Sequence, residues 1–168
     1  MKISFAELGT PKAGTVVVGV GEDRTLTPVA AALDKETGGA LVRAMASTRF
    51  TGKKGQLLAV LAPANLTIGG IVLAGLGKPA EVDALALQAL GGGLVAHLNG
   101  AGESEATVQL GALGGKLSDA DAAANLAFGA RLRTYRFDKY RTRMKAEQKP
   151  TLKKLAVQSD AAPAAKKL

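Results

Sequence analysis

The residues best suited to chemistry lie in one basic and aromatic segment, between positions 131 and 143. Guanidinium groups pair with carboxylates or phosphates, and aromatic rings fill interface pockets or stack on bases. Two hypotheses follow: the segment docks against another domain or subunit, or it binds nucleic acid such as DNA as a basic helix. Docking is favoured, because interface cores select arginine and aromatic side chains. The candidate contact residues are Arg131, Arg133, Tyr135, Arg136, Phe137, Tyr140, Arg141 and Arg143.

The excess positive charge of the chain lies at the same end. The formal net charge of the 168 residues is +8. Residues 1–130 carry 10 Lys and Arg against 11 Asp and Glu, whereas residues 131–168 carry 12 against 3. The first 130 residues are therefore nearly neutral, and an acidic partner would be attracted mainly to the last stretch.

Residues 75–80, with the sequence Gly-Leu-Gly-Lys-Pro-Ala, match the G-x-G-x-x-A pattern of dinucleotide-binding turns. In such turns backbone amides approach a pyrophosphate at the start of a helix. Two features count against that chemistry here. Pro79 lacks an amide hydrogen, and no acidic residue follows at the distance needed to hold a ribose. We therefore interpret the segment as a tight turn between a strand and a helix.

A second glycine-spaced segment covers residues 50–56, with the sequence Phe-Thr-Gly-Lys-Lys-Gly-Gln. Its lysines and backbone amides could hold an anion. The favoured interpretation is the entry to a hairpin with solvent-exposed lysines, because glycine is common wherever a turn needs a positive φ.

Groups that could perform acid–base, nucleophilic or metal chemistry are few and scattered. The chain contains no cysteine and one histidine, His97, which has no carboxylate near it in sequence. The closely spaced carboxylates fall in predicted turns or helix caps, where acidic residues are common for structural reasons. The sequence therefore predicts no catalytic residue, no metal site and no cofactor in this chain. The carboxylate pairs are Glu22 and Asp23, Glu103 and Glu105, and Asp119 and Asp121.

Strands and helices alternate along the chain, which indicates an α/β fold with a mixed sheet and helices on both faces. A pair of short helices is predicted after the N-cap residue Thr27. A long helix predicted from Pro79 places Leu85 among its core-facing residues, and glycines 91–93 predict close packing against the sheet. The predicted strands cover residues 2–8, 15–20, 56–62, 67–74, 107–110 and 152–157.

The final predicted helix is long and basic. It begins after the N-cap residue Ser118 and continues until Pro150. Its core-facing positions, from Leu126 through Tyr140 to Met144, step by four and three residues. Residues 161–168 are rich in alanine and lysine, which is typical of a flexible linker.

The chain shows no signal for export or membrane insertion. The apolar run before Glu7 is too short for a signal peptide, and no stretch of about 18 apolar residues could cross a bilayer. The lack of cysteine is compatible with a reducing compartment. We expect a cytoplasmic protein without a membrane partner.

Three motifs carry a resemblance to a known family. They are Phe50-x-Gly52-Lys53-x-Gly55-Gln56, the run Ile-Val-Leu-Ala-Gly-Leu-Gly-Lys at 71–78, and Gly-Ala-x-Leu-Arg-x-Tyr-Arg-Phe-Asp-Lys-Tyr at 129–140. In order and approximate spacing they resemble the N-terminal domain of leucyl aminopeptidases, the cytosol aminopeptidase family of metallo-exopeptidases. The resemblance extends over nearly the whole chain.

This resemblance implies a macrodomain-like fold. Residues 1–145 would form the N-terminal domain, including a long basic connector helix, and residues 146–168 would form a linker toward a catalytic domain outside this chain. In the family, that catalytic domain holds two divalent metals, zinc or manganese, within a homohexamer. The metal ligands belong to that domain, so no functional residue of the family transfers to a position here. The chain alone is therefore expected not to be an enzyme.

The resemblance also bears on the alternatives. Some relatives in the family bind DNA, which fits the basic segment 131–143. Binding of ADP-ribose or another nucleotide follows from analogy with the macrodomain fold alone, and a fold does not establish a function.

Overall fold

Residues 1–135 and 149–165 are described by the computed structural model of the chain, and their strands form one seven-stranded sheet. The strand order is β1-β7-β6-β2-β5-β4, with the short β3 paired to β2. β4 and β3 are antiparallel to their neighbours, and the other pairs are parallel, so the sheet is mixed as predicted. The strands are β1 Lys2–Ala6, β2 Thr15–Gly21, β3 Thr25–Leu26, β4 Leu57–Leu61, β5 Gly70–Gly77, β6 Glu105–Gln109 and β7 Lys154–Gln158.

The centre of the sheet is its most apolar part. β2 lies between β5 and β6, and both faces of β2 and β5 are buried along nearly their whole length. A parallel strand covered on both faces must be continuously hydrophobic, which explains the valine-rich run of β2. The strands predicted at 56–62 and 67–74 are observed as β4 and β5, which pair antiparallel.

The described residues contain five α-helices. Thr27 caps α1 by accepting a hydrogen bond from the amide of Ala30 (3.4 Å), and Ser118 caps α4 by accepting one from the amide of Asp121 (3.1 Å). Both caps were predicted from the sequence, since short oxygen-bearing side chains satisfy the free amides of a first turn. The helices are α1 Pro28–Glu36, α2 Ala40–Ala46, α3 Ala84–Gly100, α4 Asp119–Thr134 and α5 Ala162–Ala165.

The helices form layers on both faces of the sheet, but the two layers differ in extent. On one face α3, α4 and α5 pack over residues such as Val17 and Leu155. On the other face α1 and α2 pack over Val16 and Val18. Val16 pairs with Thr107 of β6, and Thr107 pairs with Ala156 of β7. Ala156 in turn pairs with Ser4 of β1, which is exposed. The second layer therefore covers only the half of the sheet around β2, β5 and β4.

α3 and α4 pack unusually closely. Gly91 lies against the backbone carbonyl of Leu126, and Gly129 lies against that of Gln88, so neither position has room for a Cβ atom. The amide of the Gln88 side chain also donates to Oδ1 of Asn125 at 2.7 Å. The prediction that the glycines of α3 pack against the sheet is therefore wrong, because Gly91 contacts the neighbouring helix.

The start of α3 also differs from the prediction. Pro79–Glu81 forms only one turn of 3-10 helix, and α3 begins at Ala84. The carboxylate of Asp83 accepts a hydrogen bond from the amide of Ala86 at 2.7 Å. An acidic N-cap satisfies a first-turn amide and complements the helix dipole, and these effects fix the helix start at this position.

The predicted long basic helix is not confirmed. α4 ends at Thr134, and Tyr135 has an extended backbone (φ −70°, ψ 111°). The hydroxyl of Thr134 donates to the carbonyl of Arg131 at 2.7 Å, and residues 131–133 are exposed, so the last turn gains little from packing. A single helix that continues from Asp119 until Pro150 is therefore not confirmed, and its predicted core-facing positions Phe137, Tyr140 and Met144 lie outside the described residues.

The predicted linker 146–168 contains part of the domain itself. β7 lies between β1 and β6, and its residues Leu155 and Val157 are fully buried. α5 follows and buries Ala162. A boundary at residue 145 is wrong for this reason: a strand with neighbours on both sides cannot be removed from a sheet without exposing the backbone hydrogen bonds of both.

Candidate functional site

The carboxyl ends of β2, β5 and β6 meet at the point where the direction of strand order reverses. From β2 the chain passes through β4 to β5, which lies beside β2 on one edge. It then returns to β6, which lies beside β2 on its other edge. In open α/β sheets this is where ligands bind, outside the strand ends. A cavity of about 330 Å³ lies there. It is lined by apolar side chains, including Leu26, Leu76, Val82 and Leu113, and by the charged residues Glu22, Asp23 and Lys78.

The glycine amides that could face a pyrophosphate at this edge are already hydrogen bonded. The amide of Gly75 donates to the carbonyl of Gln56 (2.8 Å), and that of Gly77 donates to the carbonyl of Gly52 (2.9 Å). The helix that follows begins with the carboxylate of Asp83, not with free amides. Segment 75–80 is thus the tight turn that the sequence favoured, and it does not form a dinucleotide cradle.

The segment 50–56 binds its own backbone. Oε1 of Gln56 accepts hydrogen bonds from the Thr51 amide (3.0 Å), the Thr51 hydroxyl (3.2 Å) and the Lys53 amide (3.1 Å). Nε of Arg24 donates to the carbonyl of Phe50 at 2.9 Å and so joins this loop to the end of β2. Lys53 and Lys54 are exposed, as the hairpin interpretation predicts. These contacts give the motif a structural role.

No group of three or more histidine, cysteine, aspartate or glutamate residues converges to hold a metal ion within residues 1–135 and 149–165. His97 is half-buried on α3. The cavity at the strand ends has room for a small ligand, and its lining is mainly apolar. In the same residues, no helix combines the length and hydropathy needed to cross a bilayer.

The predicted contact segment begins at the end of α4. Arg131 and Arg133 are exposed in its last turn, and Tyr135 is 79% exposed just after it. The structure therefore places these three side chains on the surface, where a partner could contact them. The other five predicted contact residues lie outside the described residues: Arg136, Phe137, Tyr140, Arg141 and Arg143.

An exposed apolar surface, which the sequence analysis missed, adjoins this segment. Phe128 and Leu132 in α4 are 52% and 56% exposed, and Leu85 in α3 is 74% exposed. α3 contains no aspartate, glutamate, lysine or arginine, so its solvent side consists of small and apolar residues. The lack of charged residues in α3 was the feature of the sequence that could have predicted this surface. We call this surface the α3–α4 face: Leu85, Ala89, Gly93, Ala96, Phe128, Leu132 and Tyr135.

Comparison with known proteins decides the family. Residues 17–144 match the N-terminal domain of the cytosol aminopeptidase family. The chain belongs to the cytosol aminopeptidase family. The match covers all of the described sheet except β1, the first residues of β2 and β7.

Bacterial relatives agree with this assignment. A probable cytosol aminopeptidase of Caulobacter vibrioides is 41% identical over 154 residues, which is 90% of this chain and 30% of that protein. One from Rhodopseudomonas palustris is 34% identical over 151 residues, or 88% of this chain and 29% of that protein. The chain therefore spans about 30% of the length of these cytosol aminopeptidases.

Solved structures confirm the macrodomain-like fold. A mutant of tomato leucine aminopeptidase superimposes with a TM-score of 0.72 at 22% identity, over 98% of this chain and 35% of that one. A macrodomain of Trypanosoma brucei, in complex with ADP-ribose, gives 0.70 at 12% identity over 98% of this chain and 66% of that one. The cytosol aminopeptidase N-terminal domain thus shares its architecture with macrodomains.

Proposed function

We propose that this chain is a non-catalytic part of a cytosol aminopeptidase that acts in the cytoplasm. The proposal rests on one observation above all: the chain matches the N-terminal domain of the family and spans about 30% of its relatives. The carboxylates of the described residues are dispersed, whereas two-metal hydrolysis needs acidic ligands around ions about 4 Å apart. The remaining part of the enzyme would supply the reaction.

The whole enzyme would remove N-terminal residues from peptides with two divalent metals, zinc or manganese. A metal would activate water and polarise the scissile carbonyl. A structural neighbour at 19% identity and a TM-score of 0.63, the bottromycin maturation enzyme BotP, is described in complex with Mn. No residue of this chain is assigned to either metal.

The role of this domain would be docking and assembly. Arg131, Arg133 and Tyr135 lie exposed at the end of α4, where guanidinium groups could pair with carboxylates of the catalytic domain. In the whole enzyme this contact would hold the domain in place within a homohexamer and influence access to the active site. The predicted contact residues from Arg136 to Arg143 would extend the same contact.

Hydrolysis of leucine amide tests the catalytic part of the proposal. The purified chain should show no hydrolysis with added Mn²⁺ or Zn²⁺, whereas the complete enzyme should be active under the same conditions. Metal-dependent release of leucine by the 168 residues alone would overturn the proposal.

Variants of the complete enzyme test the docking part. Replacing Arg131 and Arg133 with alanine should lower the thermal stability of the complete enzyme and leave that of the isolated domain within about 0.5 kcal/mol, as expected for exposed residues. The matched control replaces Lys35 and Arg49, which are also exposed but lie in α1 and just after α2, in the helix layer on the other face of the sheet. Equal effects of both pairs would contradict docking through the α4 end.

DNA binding by the segment 131–143 is the second candidate, favoured by the exposure of Arg131 and Arg133. A protein that neutralises several phosphates binds DNA with a steep salt dependence. A gel shift of duplex DNA at low salt that disappears when the five arginines are neutralised would support it. Absence of a shift at low salt would dismiss it. The five arginines are Arg131, Arg133, Arg136, Arg141 and Arg143.

A further inference from the structure

The exposed side of α4 has an internal symmetry. Asp121 and Phe128 are seven residues apart, close to two helical turns, so they lie along one line of the helix surface, and Tyr135 follows seven residues later as the C-cap. Phe128 is in the middle, with an acidic residue seven positions before it and a phenol seven positions after it. Leu132 lies beside this line and is 56% exposed.

The charges of α4 are distributed in the same way. On the side that carries Phe128, Asp121 lies in its first turn and Arg131 lies in its last. Beside it, α3 offers a solvent side without any charged residue, where Ala89, Gly93 and Ala96 would permit close approach. A surface of this kind, apolar at its centre and opposite in charge at its ends, is complementary to itself when one copy is reversed.

We propose that the α3–α4 face binds the same face of a second copy of this chain, with the two α4 helices antiparallel about a two-fold axis near Phe128. A two-fold interface uses one patch twice, so the patch must match itself. The antiparallel orientation brings Asp121 of each copy near Arg131 of the other. A parallel orientation would bring like charges together, and the helix dipoles would also repel.

The buried centre of this interface is aromatic. The two Phe128 rings meet at the axis, and Leu132 and Leu85 cover them from either side. Aromatic side chains in the centre of an interface contribute most of its binding free energy, whereas charged pairs at its rim mainly fix orientation. The inference goes beyond the proposed function and does not rest on it, because its central residues Phe128, Leu132 and Leu85 are not among those assigned to docking with the catalytic domain.

Sedimentation of the purified chain is the first test. The wild-type chain should sediment as a dimer, with twice the 17.0 kDa mass of one copy. Phe128→Asp should raise the dimer dissociation constant by at least about 10-fold, as loss of a central aromatic contact predicts. Val42→Asp is the matched control, because Val42 is 48% exposed on a helix of the other face. A wild-type monomer at every concentration tested overturns the proposal.

Cysteine cross-linking tests the position of the axis. The chain has no cysteine, so Phe128→Cys introduces one thiol per copy. A disulfide needs Cα atoms within about 7 Å, a distance that occurs only next to the axis. Mild oxidation should therefore convert Phe128→Cys to a covalent dimer and leave Val42→Cys monomeric. Equal cross-linking of both variants would mean random collision and would overturn the proposal.

A charge exchange tests the antiparallel orientation. Asp121→Arg should weaken dimerisation, and adding Arg131→Asp should restore it, because the double variant re-forms the opposite-charge contacts between copies. The thermal stability of each variant, measured in parallel, separates this effect from loss of the hydrogen bond between Ser118 and Asp121. Failure of the second substitution to restore dimerisation would contradict the antiparallel arrangement.

Discussion

Gly129 of α4 lies directly against the backbone carbonyl of Gln88 in α3, in a space where no side-chain atom fits. Gly91 makes the reciprocal approach to the backbone of Leu126. Glycine is normally unfavourable in the middle of a helix, because its backbone loses more conformational freedom on folding than that of other residues. Glycine is needed here so that the two helices can come close enough to bury Leu126 and Ala130 over the sheet.

We expect Gly129→Ala to destabilise the domain by about 3 kcal/mol, because the added methyl group meets backbone that cannot move independently. Gly100→Ala, at the exposed end of α3, provides the control, since no neighbouring atom lies within 4 Å of a Cβ there. That variant should gain up to about 1 kcal/mol from its better helix propensity. Urea unfolding of both variants measures the two effects, and similar changes in the free energy of unfolding would contradict the close crossing.

The sequence predicted those elements whose signals are local. The β-branched run of β2, the Thr27 cap of α1 and the Ser118 cap of α4 all depend on residues close in the chain. The order of the strands is not local: β7 inserts between β1 and β6, although more than 40 residues separate it from β6. Periodicity alone could not show that this C-terminal segment belongs to the sheet.

The loop 50–56 should depend strongly on one side chain. Gln56→Ala removes the oxygen that accepts three hydrogen bonds from Thr51 and Lys53, and should cost about 1–3 kcal/mol of stability. Gln56→Glu keeps an acceptor oxygen at the same position and should remain close to the wild type. Thermal unfolding compares the two. A destabilisation by Glu as large as that by Ala would contradict this role.

The ability of the strand-end cavity to bind phosphate also depends on contacts between residues distant in sequence. The fingerprint at 75–80 was visible in the sequence, but the use of its Gly75 and Gly77 amides by residues 52–56 was not. Leu85 has the spacing of a core residue, yet it is 74% exposed. Of the seam predicted beyond Ala130, Arg133 is exposed, and Phe137, Tyr140 and Met144 lie outside the described residues.

Asn99 should control how firmly β7 is held. Its Oδ1 accepts hydrogen bonds from the amides of Thr151 and Leu152, both at 2.9 Å, just before the strand. Asn99→Ala should therefore increase amide hydrogen exchange in residues 151–158, because buried amides lose their acceptor. Asn99→Asp retains the acceptor and loses only the donor to Val95, so it should protect these amides better than alanine does. Equal exchange in the two variants would contradict the anchoring role.

ADP-ribose should not bind this domain with a dissociation constant below about 1 mM, which corresponds to only about 4 kcal/mol of binding free energy. The cavity lies where α/β sheets bind ligands, but Glu22 and Asp23 line it and would repel a diphosphate. The amides of Gly75 and Gly77 at the same edge already have acceptors, so they cannot replace the hydration of phosphate oxygens.

Titration calorimetry with ADP-ribose measures this directly, with the Trypanosoma brucei macrodomain, whose complex with ADP-ribose is known, as the positive control. Neutralising Glu22 and Asp23 with their amide counterparts should raise the affinity only slightly, because the glycine amides remain occupied. A saturable heat of binding with the wild-type domain would show that the cavity offers hydrogen-bond donors other than these glycine amides. The most direct alternative would then be the loop after β6, which contributes Leu113 and Gly114 to the same cavity.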